Sequence, residues 1–205
     1  MRKLVLGTLA CFGIVLGVVT FTTAGDKHDH GTSAAQIGAP APQFSLQDQN
    51  GKTVNLNDYA GKIVVLEWFN NECPFVVRHY KDGDMNKTAA GLADKGVVWL
   101  AINSTSGKTS QDNKAVATEW KIERPILDDS TGTVGHMYGA KTTPNMFVID
   151  KDGKLAYIGA IDNNASGNEK QVVNYVDKAV NELLNGSSVS ESQTKSYGCS
   201  VKYAK

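Results

Sequence analysis

Two uninterrupted apolar runs constrain the fold of this chain more than any other feature of its sequence. Residues 63–69 read IVVLEWF and residues 97–102 read VVWLAI, and Glu67 is the only charged side chain in either run. Strands that are buried on both faces have this composition, and they occur in parallel sheets that helices cover. Because a helix-forming segment follows each run, the sequence predicts an α/β protein with a mostly parallel central sheet and helices on both faces.

Antiparallel hairpins are predicted at both ends of this sheet. Residues 44–46 and 54–56 alternate apolar and polar side chains around an Asn-Gly turn, which predicts an N-terminal β-hairpin. Residues 145–149 and 155–158 flank an Asp-Gly turn and predict a second hairpin. The central sheet is therefore expected to be mixed.

The last helix is predicted from its capping residues. Asn168 is a candidate N-cap, Val172 lies at one of the apolar positions, and Gly186 is a typical helix end. The residues that follow, 187–205, are polar and rich in serine, and they carry Cys199. We interpret them as a polar C-terminal tail.

The beginning of the chain is predicted to be a signal peptide. Arg2 and Lys3 precede an apolar stretch over residues 4–21, and small residues up to Ala24 suit a signal peptidase. An uncleaved membrane anchor is the alternative, and it would be the only route to membrane contact. We expect an exported protein, periplasmic or extracellular. The predicted organisation is a signal peptide over residues 1–24, a polar tether over 25–36, a folded domain over 37–186 and the tail over 187–205.

Charge and cysteine content narrow the function. The 205 residues include 21 Lys and Arg against 21 Asp and Glu, so no basic excess indicates nucleic acid as a partner. Cys11 lies in the predicted signal peptide, which leaves Cys73 and Cys199 in the mature chain. Two cysteines exclude a disulfide-dense scaffold and a multi-cysteine metal module, and we expect no cofactor.

Cys73 has the sequence context of a reactive thiol. It follows the first buried strand and precedes Pro74, a residue well suited to the first position of a helix. The unpaired N–H groups and the positive dipole at a helix start favour the thiolate, which is the nucleophilic form. The sequence therefore predicts a lowered pKa at Cys73, with an inert buried cysteine as the alternative.

Three motifs surround this cysteine. GAPAPQFSLQD begins at Gly38, NECPFV contains Cys73, and TPNMFVID begins at Thr143. Together they resemble the redoxin group, the alkyl hydroperoxide reductase/thiol-specific antioxidant branch of the thioredoxin superfamily. The resemblance implies a thioredoxin-like fold, with Cys73 as the attacking thiol and Pro144 as a cis-proline beside it. It also implies a peroxiredoxin-like thiol oxidoreductase that reduces peroxides or protein disulfides and is regenerated by an external thiol reductant.

The sequence departs from the family pattern at positions that bear on this chemistry. Val76 occupies the second cysteine position of C-x-x-C, so a local dithiol is absent. Leu66 and Asn70 occupy the proline and threonine positions of peroxiredoxins, and Pro144 occupies the place of their arginine. The amide of Asn70 is a candidate donor to a peroxide oxygen.

Two further residues are candidates for the site. Glu67 lies six residues before Cys73, where thioredoxins place a buried acid, and it is a candidate general acid/base; a strand glutamate paired with a lysine is the alternative. Cys199 lies about 13 residues beyond the last predicted helix, a span that reaches roughly 43 Å when extended. We predict that Cys199 resolves oxidised Cys73, with a permanent structural disulfide as the alternative.

A copper(I) carrier and a non-catalytic binding module are the competing functions. Cys73, His79 and Cys199 could form a soft thiolate and imidazole site. However, ideal helical spacing turns His79 away from Cys73 and predicts a surface or capping histidine instead. A binding module would keep a structural disulfide and show no turnover.

Overall fold

The fold is described by a computed structural model that covers residues 35–204. The predicted signal peptide and most of the predicted tether lie outside the described residues. The strands are β1 (Ser45–Asp48), β2 (Thr53–Asn55), β3 (Val64–Trp68), β4 (Val98–Asn103), β5 (Ile126–Asp128), β6 (Thr142–Thr143), β7 (Asn145–Ile149), β8 (Leu155–Gly159) and β9 (Cys199–Ser200). The helices are α1 (Pro74–Lys81), α2 (Asp84–Ala93), α3 (Ser110–Glu119), α4 (Thr133–Tyr138) and α5 (Tyr175–Leu184), with a 3-10 helix at Leu56–Tyr59.

Seven of the strands form one mixed sheet in the order β2-β1-β5-β4-β3-β7-β8. The two apolar runs form β3 and β4, which pair in parallel at its centre, with Leu66 opposite Leu100. Every residue of β3 is buried, because helices or loops cover both faces of the sheet. Both predicted hairpins are present as antiparallel pairs, β1 with β2 and β7 with β8. The prediction of a thioredoxin-like α/β fold with a mixed sheet is confirmed. The prediction that this sheet is mostly parallel is wrong, because only β3–β4 and β4–β5 pair in parallel, while the other four pairs in the sheet are antiparallel.

Two apolar layers hold the helices against the sheet. On one face Val65 and Trp99 pack with residues from α1, α2, α3 and α5. On the other face Leu66 and Trp68 pack with α4 and with the segment that contains the N-terminal hairpin. Because side chains alternate along each strand, one buried strand supplies both layers. Within residues 35–204 no helix is long and apolar enough to cross a membrane.

The predicted start of the last helix is wrong. The helix begins at Tyr175, and its N-cap is Asn174, whose side chain accepts a hydrogen bond from the Asp177 N–H at 2.9 Å. Val172 is 52% exposed and does not lie on the buried face of a helix. Asn163 keeps the preceding segment as a loop, since its side chain bonds the backbone of that segment at two points.

The C-terminal tail packs back onto the domain. Its strand β9 pairs antiparallel with β6 in a separate two-stranded sheet, with Cys199 opposite Thr143. Directly after β9 the tail is held by backbone hydrogen bonds from the Val201 N–H to Lys141 O and from the Ser106 N–H to Lys202 O. The segment predicted as a polar tail is therefore part of the surface that surrounds Cys73.

Candidate active site

The end of β3 and the start of α1 position Cys73. Cys73 is the N-cap residue of α1, and Pro74 occupies the first turn as predicted. The Cys73 N–H donates to Asn70 O at 3.1 Å, and the Asn70 side chain accepts from the Glu72 N–H at 2.8 Å. These two bonds tighten the turn between strand and helix. They place the Cys73 thiol at the N-terminal end of the helix, where α1 presents unpaired N–H groups.

A second loop meets Cys73 across the sheet. The peptide bond between Thr143 and Pro144 is cis, as the family resemblance implies. The Cys73 thiol donates a hydrogen bond to Thr143 O at 2.8 Å, although the two residues lie 70 positions apart. The Thr143 hydroxyl is buried and has no hydrogen-bond partner with suitable geometry among the described residues. Thr143 is thus in direct contact with the candidate nucleophile, and the sequence analysis did not single it out.

The tail brings Cys199 to the same place. In the β6–β9 pair, Cys199 stands opposite Thr143, whose carbonyl oxygen contacts the Cys73 thiol. Both cysteines are free thiols in this structure. Gly198 permits the close approach, because a Cβ atom there would lie 2.0 Å from Thr143 O and because its φ is 133°.

The two thiols differ in acidity. Burial raises the pKa of Cys73, but hydrogen bonds that the Thr143 side chain, the Val76 backbone and Cys199 supply to the thiolate outweigh it, and the net pKa lies below its ordinary value of 9.0. For Cys199, burial and then the neighbouring Cys73 raise the pKa. When one proton leaves this pair, Cys73 therefore becomes the thiolate and Cys199 keeps its proton.

The alkylation of reduced Cys73 by iodoacetamide should reflect this lowered pKa. We expect the rate to reach half of its maximum below pH 9.0, since only the thiolate reacts. A depressed folded-state pKa also means that Cys73 stabilises the reduced protein above its unfolded-state pKa, and that this stabilisation is lost as the pH falls through the folded-state value. Peptide mass spectrometry over a pH series measures the midpoint.

Cys199→Ala is the matched variant for this measurement. It removes one of the groups that lower the Cys73 pKa, so the midpoint should move up towards 9.0. A wild-type midpoint at or above 9.0 would contradict the acidity assigned to Cys73.

Asn70 lies in the turn that precedes Cys73 and is 2% exposed. Its side-chain oxygen is used by the Glu72 N–H, whereas its Nδ2 atom makes no hydrogen bond to any residue in the range 35–204. One amide donor therefore remains available close to the cysteine. The role predicted for Asn70 in binding a peroxide oxygen stays a prediction.

Glu67 lies in the middle of β3 with no exposed surface. Its carboxylate accepts from Tyr80 Oη at 3.0 Å and from Trp99 Nε1 at 2.9 Å, and Arg124 Nη2 lies 3.3 Å away. Its charged partner is thus an arginine and not the lysine of the alternative interpretation. None of these bonds goes to either cysteine of the site. The acid/base role of Glu67 stays a prediction, and the bonds identify a buried ion pair beneath the site.

The prediction of a surface or capping histidine is wrong, because His79 is 1% exposed and both of its ring nitrogens bond side chains. Its Nδ1 lies 2.9 Å from Asp84 Oδ2 and its Nε2 lies 2.9 Å from Tyr197 Oη. Tyr197 also donates to Asp162 Oδ1. The tail covers His79 because Tyr197, two residues before Cys199, inserts between His79 and Asp162.

The copper site considered from the sequence is not assembled. In the described part of the chain, the one group of three possible metal ligands is His79, Asp84 and Asp162, and it contains neither cysteine. Both ring nitrogens of His79 are already in hydrogen bonds. The structure therefore brings Cys73 and Cys199 together but leaves His79 in a separate cluster.

Sequence reasoning missed three residues that build the site, namely Thr143, Tyr197 and Gly198. A Thr-Pro step before an apolar strand and a Gly-Cys step in a polar tail were the available signals. Neither step identifies its partner, because Thr143 and Gly198 acquire their roles only by facing each other across β6 and β9.

Comparisons with known proteins identify the family to which the sequence is similar. Residues 37–158 match the AhpC/TSA family. The thiol-disulfide oxidoreductase ResA of Bacillus thuringiensis subsp. konkukian is 30% identical over 58% of this chain and 67% of its own length, and that of Geobacillus thermodenitrificans is 29% identical over 77% and 87%. The crystal structure of an uncharacterized conserved protein from Geobacillus kaustophilus is 31% identical, with a TM-score of 0.76 over 82% of this chain and 93% of that one.

Proposed function

The chain belongs to the AhpC/TSA family and is a thiol oxidoreductase, and from this premise we propose that it carries out thiol–disulfide exchange through Cys73 and Cys199. Cys73 is the nucleophile and Cys199 is the resolving thiol. The similarity to enzymes named thiol-disulfide oxidoreductases supports this reaction class. Since Val76 takes the place of a second local cysteine, the tail has to supply the second sulfur.

The observation that carries this proposal is the pairing of β9 with β6. It sets Cys199 opposite Thr143, and Thr143 O holds the Cys73 thiol at 2.8 Å. A resolving thiol must reach the sulfur that the nucleophile has modified, and here the two thiols are close enough that each shifts the pKa of the other. Their unequal acidity gives each one its part in the reaction.

The reaction proceeds in two displacements. The Cys73 thiolate attacks one sulfur of a substrate disulfide, forms a mixed disulfide and releases the other substrate sulfur as a thiolate. Cys199 then loses its proton and attacks the Cys73 sulfur, which forms the Cys73–Cys199 disulfide and releases the second substrate thiolate. The substrate gains two electrons, and the protein disulfide that results is reopened by an external thiol reductant.

Peroxide reduction is the second candidate, and the burial of Cys73 favours it. Cys73 is 1% exposed, which suits a small oxidant better than a protein disulfide. The thiolate would attack a peroxide oxygen, forming a sulfenic acid and releasing hydroxide; Cys199 would then form the disulfide and release water. The Nδ2 of Asn70, which makes no hydrogen bond within residues 35–204, is the donor that we assign to the peroxide.

Export of the protein is also part of the proposal. It is supported by Arg2 and Lys3, by the apolar stretch after them and by the small residues that end at Ala24. An exported location would provide the disulfide substrates that this chemistry needs. Intact mass of the protein from its native cells tests the cleavage, since a chain that begins at Gly25 is expected.

One set of assays on the full-length chain tests the proposed reaction. With dithiothreitol as electron donor, we expect the protein to accelerate insulin reduction above the rate with dithiothreitol alone. After oxidation by glutathione disulfide, a non-reducing peptide map should contain a Cys73–Cys199 linkage. Faster consumption of hydrogen peroxide than by free cysteine would support the second candidate. Acceleration of neither reaction would overturn both and favour a binding module.

Replacing Gly198 should displace the Cys199 thiol from the Cys73 thiol. In Gly198→Ala the new Cβ would collide with Thr143 O at 2.0 Å, so β9 must shift away from β6. We expect glutathione disulfide to form the Cys73–Cys199 linkage about tenfold more slowly, since small misplacements of reacting groups are costly. Quenched-flow alkylation followed by peptide mapping measures this rate.

The matched control is Gly186→Ala. Gly186 has a φ of 74°, and a Cβ atom there would meet no other atom within 4 Å. Alanine at this position therefore introduces the strain of a positive φ but no steric clash. An equal slowing in both variants would show that strain alone, and not the fit of the tail against Thr143, explains the effect.

A further inference from the structure

The hydrogen bonds around His79 fix which of its ring nitrogens carries a proton. Tyr197 donates its hydroxyl proton to Asp162 Oδ1, because an ionised carboxylate can only accept. His79 Nε2 lies 2.9 Å from Tyr197 Oη and must therefore donate to that oxygen. In a neutral imidazole the lone pair is then on Nδ1, yet Nδ1 lies 2.9 Å from the Asp84 Oδ2 atom. Two acceptors face each other here unless a proton or a metal cation lies between them.

Asp162 is a buried carboxylate without a charged partner. It is 4% exposed, and no Lys, Arg or His nitrogen in the described part of the chain lies within 4.0 Å of its carboxylate. Arg78 on α1 donates instead to the backbone carbonyl oxygens of Asn164 and Ala165. Asp162 Oδ1 accepts from Tyr197 and from the Asn164 N–H, whereas Oδ2 accepts from none of the described residues. Buried charges in proteins are paired or coordinate metal ions.

The groups that lack a cation lie together. One ring nitrogen of His79 and one carboxylate oxygen each of Asp84 and Asp162 all lie within 4.8 Å of one another. His79 and Asp162 are buried, whereas 48% of the Asp84 side chain is exposed, so an ion can enter from the Asp84 side. Two carboxylates and a neutral imidazole carry two negative charges, which a divalent cation would neutralise.

We propose that His79 Nδ1 and the carboxylates of Asp84 and Asp162 form a binding site for Zn²⁺. Imidazole nitrogen and carboxylate oxygen are donors that Zn²⁺ accepts, whereas copper(I) prefers sulfur. Bonds of about 2.0–2.2 Å set neighbouring tetrahedral ligands about 3.4 Å apart, so Asp84 would retreat from Nδ1 by about 0.5 Å. Solvent on the Asp84 side would supply a fourth ligand. The site contains neither cysteine and does not depend on the proposed function.

Tyr197 would orient the ligand histidine and connect the ion to the tail. A histidine that binds a metal commonly donates its other ring N–H to a fixed acceptor, which sets the tautomer and the ring direction. Here Nε2 of His79 has Tyr197 Oη as that acceptor, and Tyr197 also bonds Asp162. A bound ion would hold both partners of Tyr197, which lies two residues before Cys199.

Isothermal titration of the full-length chain with zinc chloride tests the site. We expect Asp162→Asn to bind one equivalent less than wild type, or to bind that equivalent at least about tenfold more weakly. Asparagine keeps the Oδ1 atom that accepts from Tyr197, so the variant loses the charge and retains the anchor of the tail. Equal zinc stoichiometry and affinity in the two proteins would overturn the proposal.

Asp84→Asn and Asp82→Asn are matched variants that separate coordination from surface charge. Asp82 is the exposed C-cap residue of α1, and its side chain makes no hydrogen bond to a described residue. Asp84→Asn should weaken zinc binding at least about tenfold, whereas Asp82→Asn should bind zinc as wild type does. The same weakening in both variants would show that general negative charge attracts the ion, and the site would be rejected.

Cobalt(II) absorption identifies the ligands independently of affinity, because thiolate ligands add an intense near-ultraviolet band that nitrogen and oxygen donors do not. We expect the visible bands of bound Co²⁺ to be lost in Asp162→Asn and retained in Cys199→Ser. The reverse pattern would place the metal at the cysteines and overturn the proposal.

Tyr197→Phe and Tyr175→Phe test the orienting role of Tyr197. Removing the hydrogen-bond partner of a ligand histidine should weaken zinc binding by about tenfold in Tyr197→Phe. The Tyr175 hydroxyl has no hydrogen bond to another described residue, so Tyr175→Phe should bind zinc as wild type does. Unchanged zinc affinity in Tyr197→Phe would overturn the role assigned to Tyr197.

Discussion

Replacing Cys73 with serine is expected to lower the rate of insulin reduction by roughly 10³-fold or more, to the rate with dithiothreitol alone. The reason is that a serine hydroxyl is not ionised near neutral pH and cannot attack a disulfide. Cys199 remains in the variant, but burial, the largest cause of its raised pKa, persists there and leaves little thiolate to replace Cys73. Turbidity of the reduced insulin chains measures the rate.

The two other cysteines provide the comparison. Cys199→Ser should keep the first displacement and lose the second, so a mixed disulfide between Cys73 and substrate should accumulate to one equivalent. Cys11→Ser should match wild type, since Cys11 lies in the predicted signal peptide. Wild-type insulin reduction by Cys73→Ser would contradict the assignment of Cys73 as the nucleophile. Full turnover in Cys199→Ser would remove Cys199 from the reaction.

Arg124→Met should destabilise the protein by about 3–5 kcal/mol, because it leaves a buried charge without its partner. Glu67 has no exposed surface and Arg124 has a side chain that is 11% exposed. Tyr80 and Trp99 would still donate to the carboxylate, but neither carries a positive charge. Urea unfolding of the reduced protein, followed by fluorescence, measures the free energy of unfolding.

Arg78→Met is the matched control for this loss. Arg78 donates to the backbone carbonyl oxygens of Ala165 and Asn164 and has no carboxylate within ion-pair distance in the described part of the chain. We expect a loss of about 1 kcal/mol there. The double variant Glu67→Met with Arg124→Met should regain at least about 1 kcal/mol over Arg124→Met alone, since it removes the unpaired charge. Equal losses in Arg124→Met and Arg78→Met would contradict the burial argument.

The fold was largely predictable because its signals are local. The two apolar runs became β3 and β4, and both hairpin turns lie where glycine follows asparagine or aspartate. The start of the last helix was not predictable in the same way. Asn168 was the predicted N-cap, whereas the structure uses Asn174, and the Asn163 side chain binds the backbone of the segment between them.

Only the part of the candidate site that depends on local sequence patterns was predictable. The position of Cys73 between a buried strand and Pro74 is a local pattern, and the structure places Cys73 at the helix start. His79 was predicted to be a surface or capping histidine from its helical spacing to Cys73, and that spacing carries no information on distant segments. Tyr197, which lies 118 positions away, contacts its ring in the folded chain.

Local sequence signals therefore specify the central strands, the helix that begins after Cys73 and the presence of one further thiol at Cys199. The contact between Thr143 O and the Cys73 thiol and the return of the tail to β6 emerge only when the chain is folded. The physical reason is that closing a long loop costs only slightly more than closing a short one, so separation along the chain says little about which segments meet. The tail packs against β6 through the combined contacts of Tyr197, Gly198 and the β9 backbone. In the sequence, none of these residues identifies its partner.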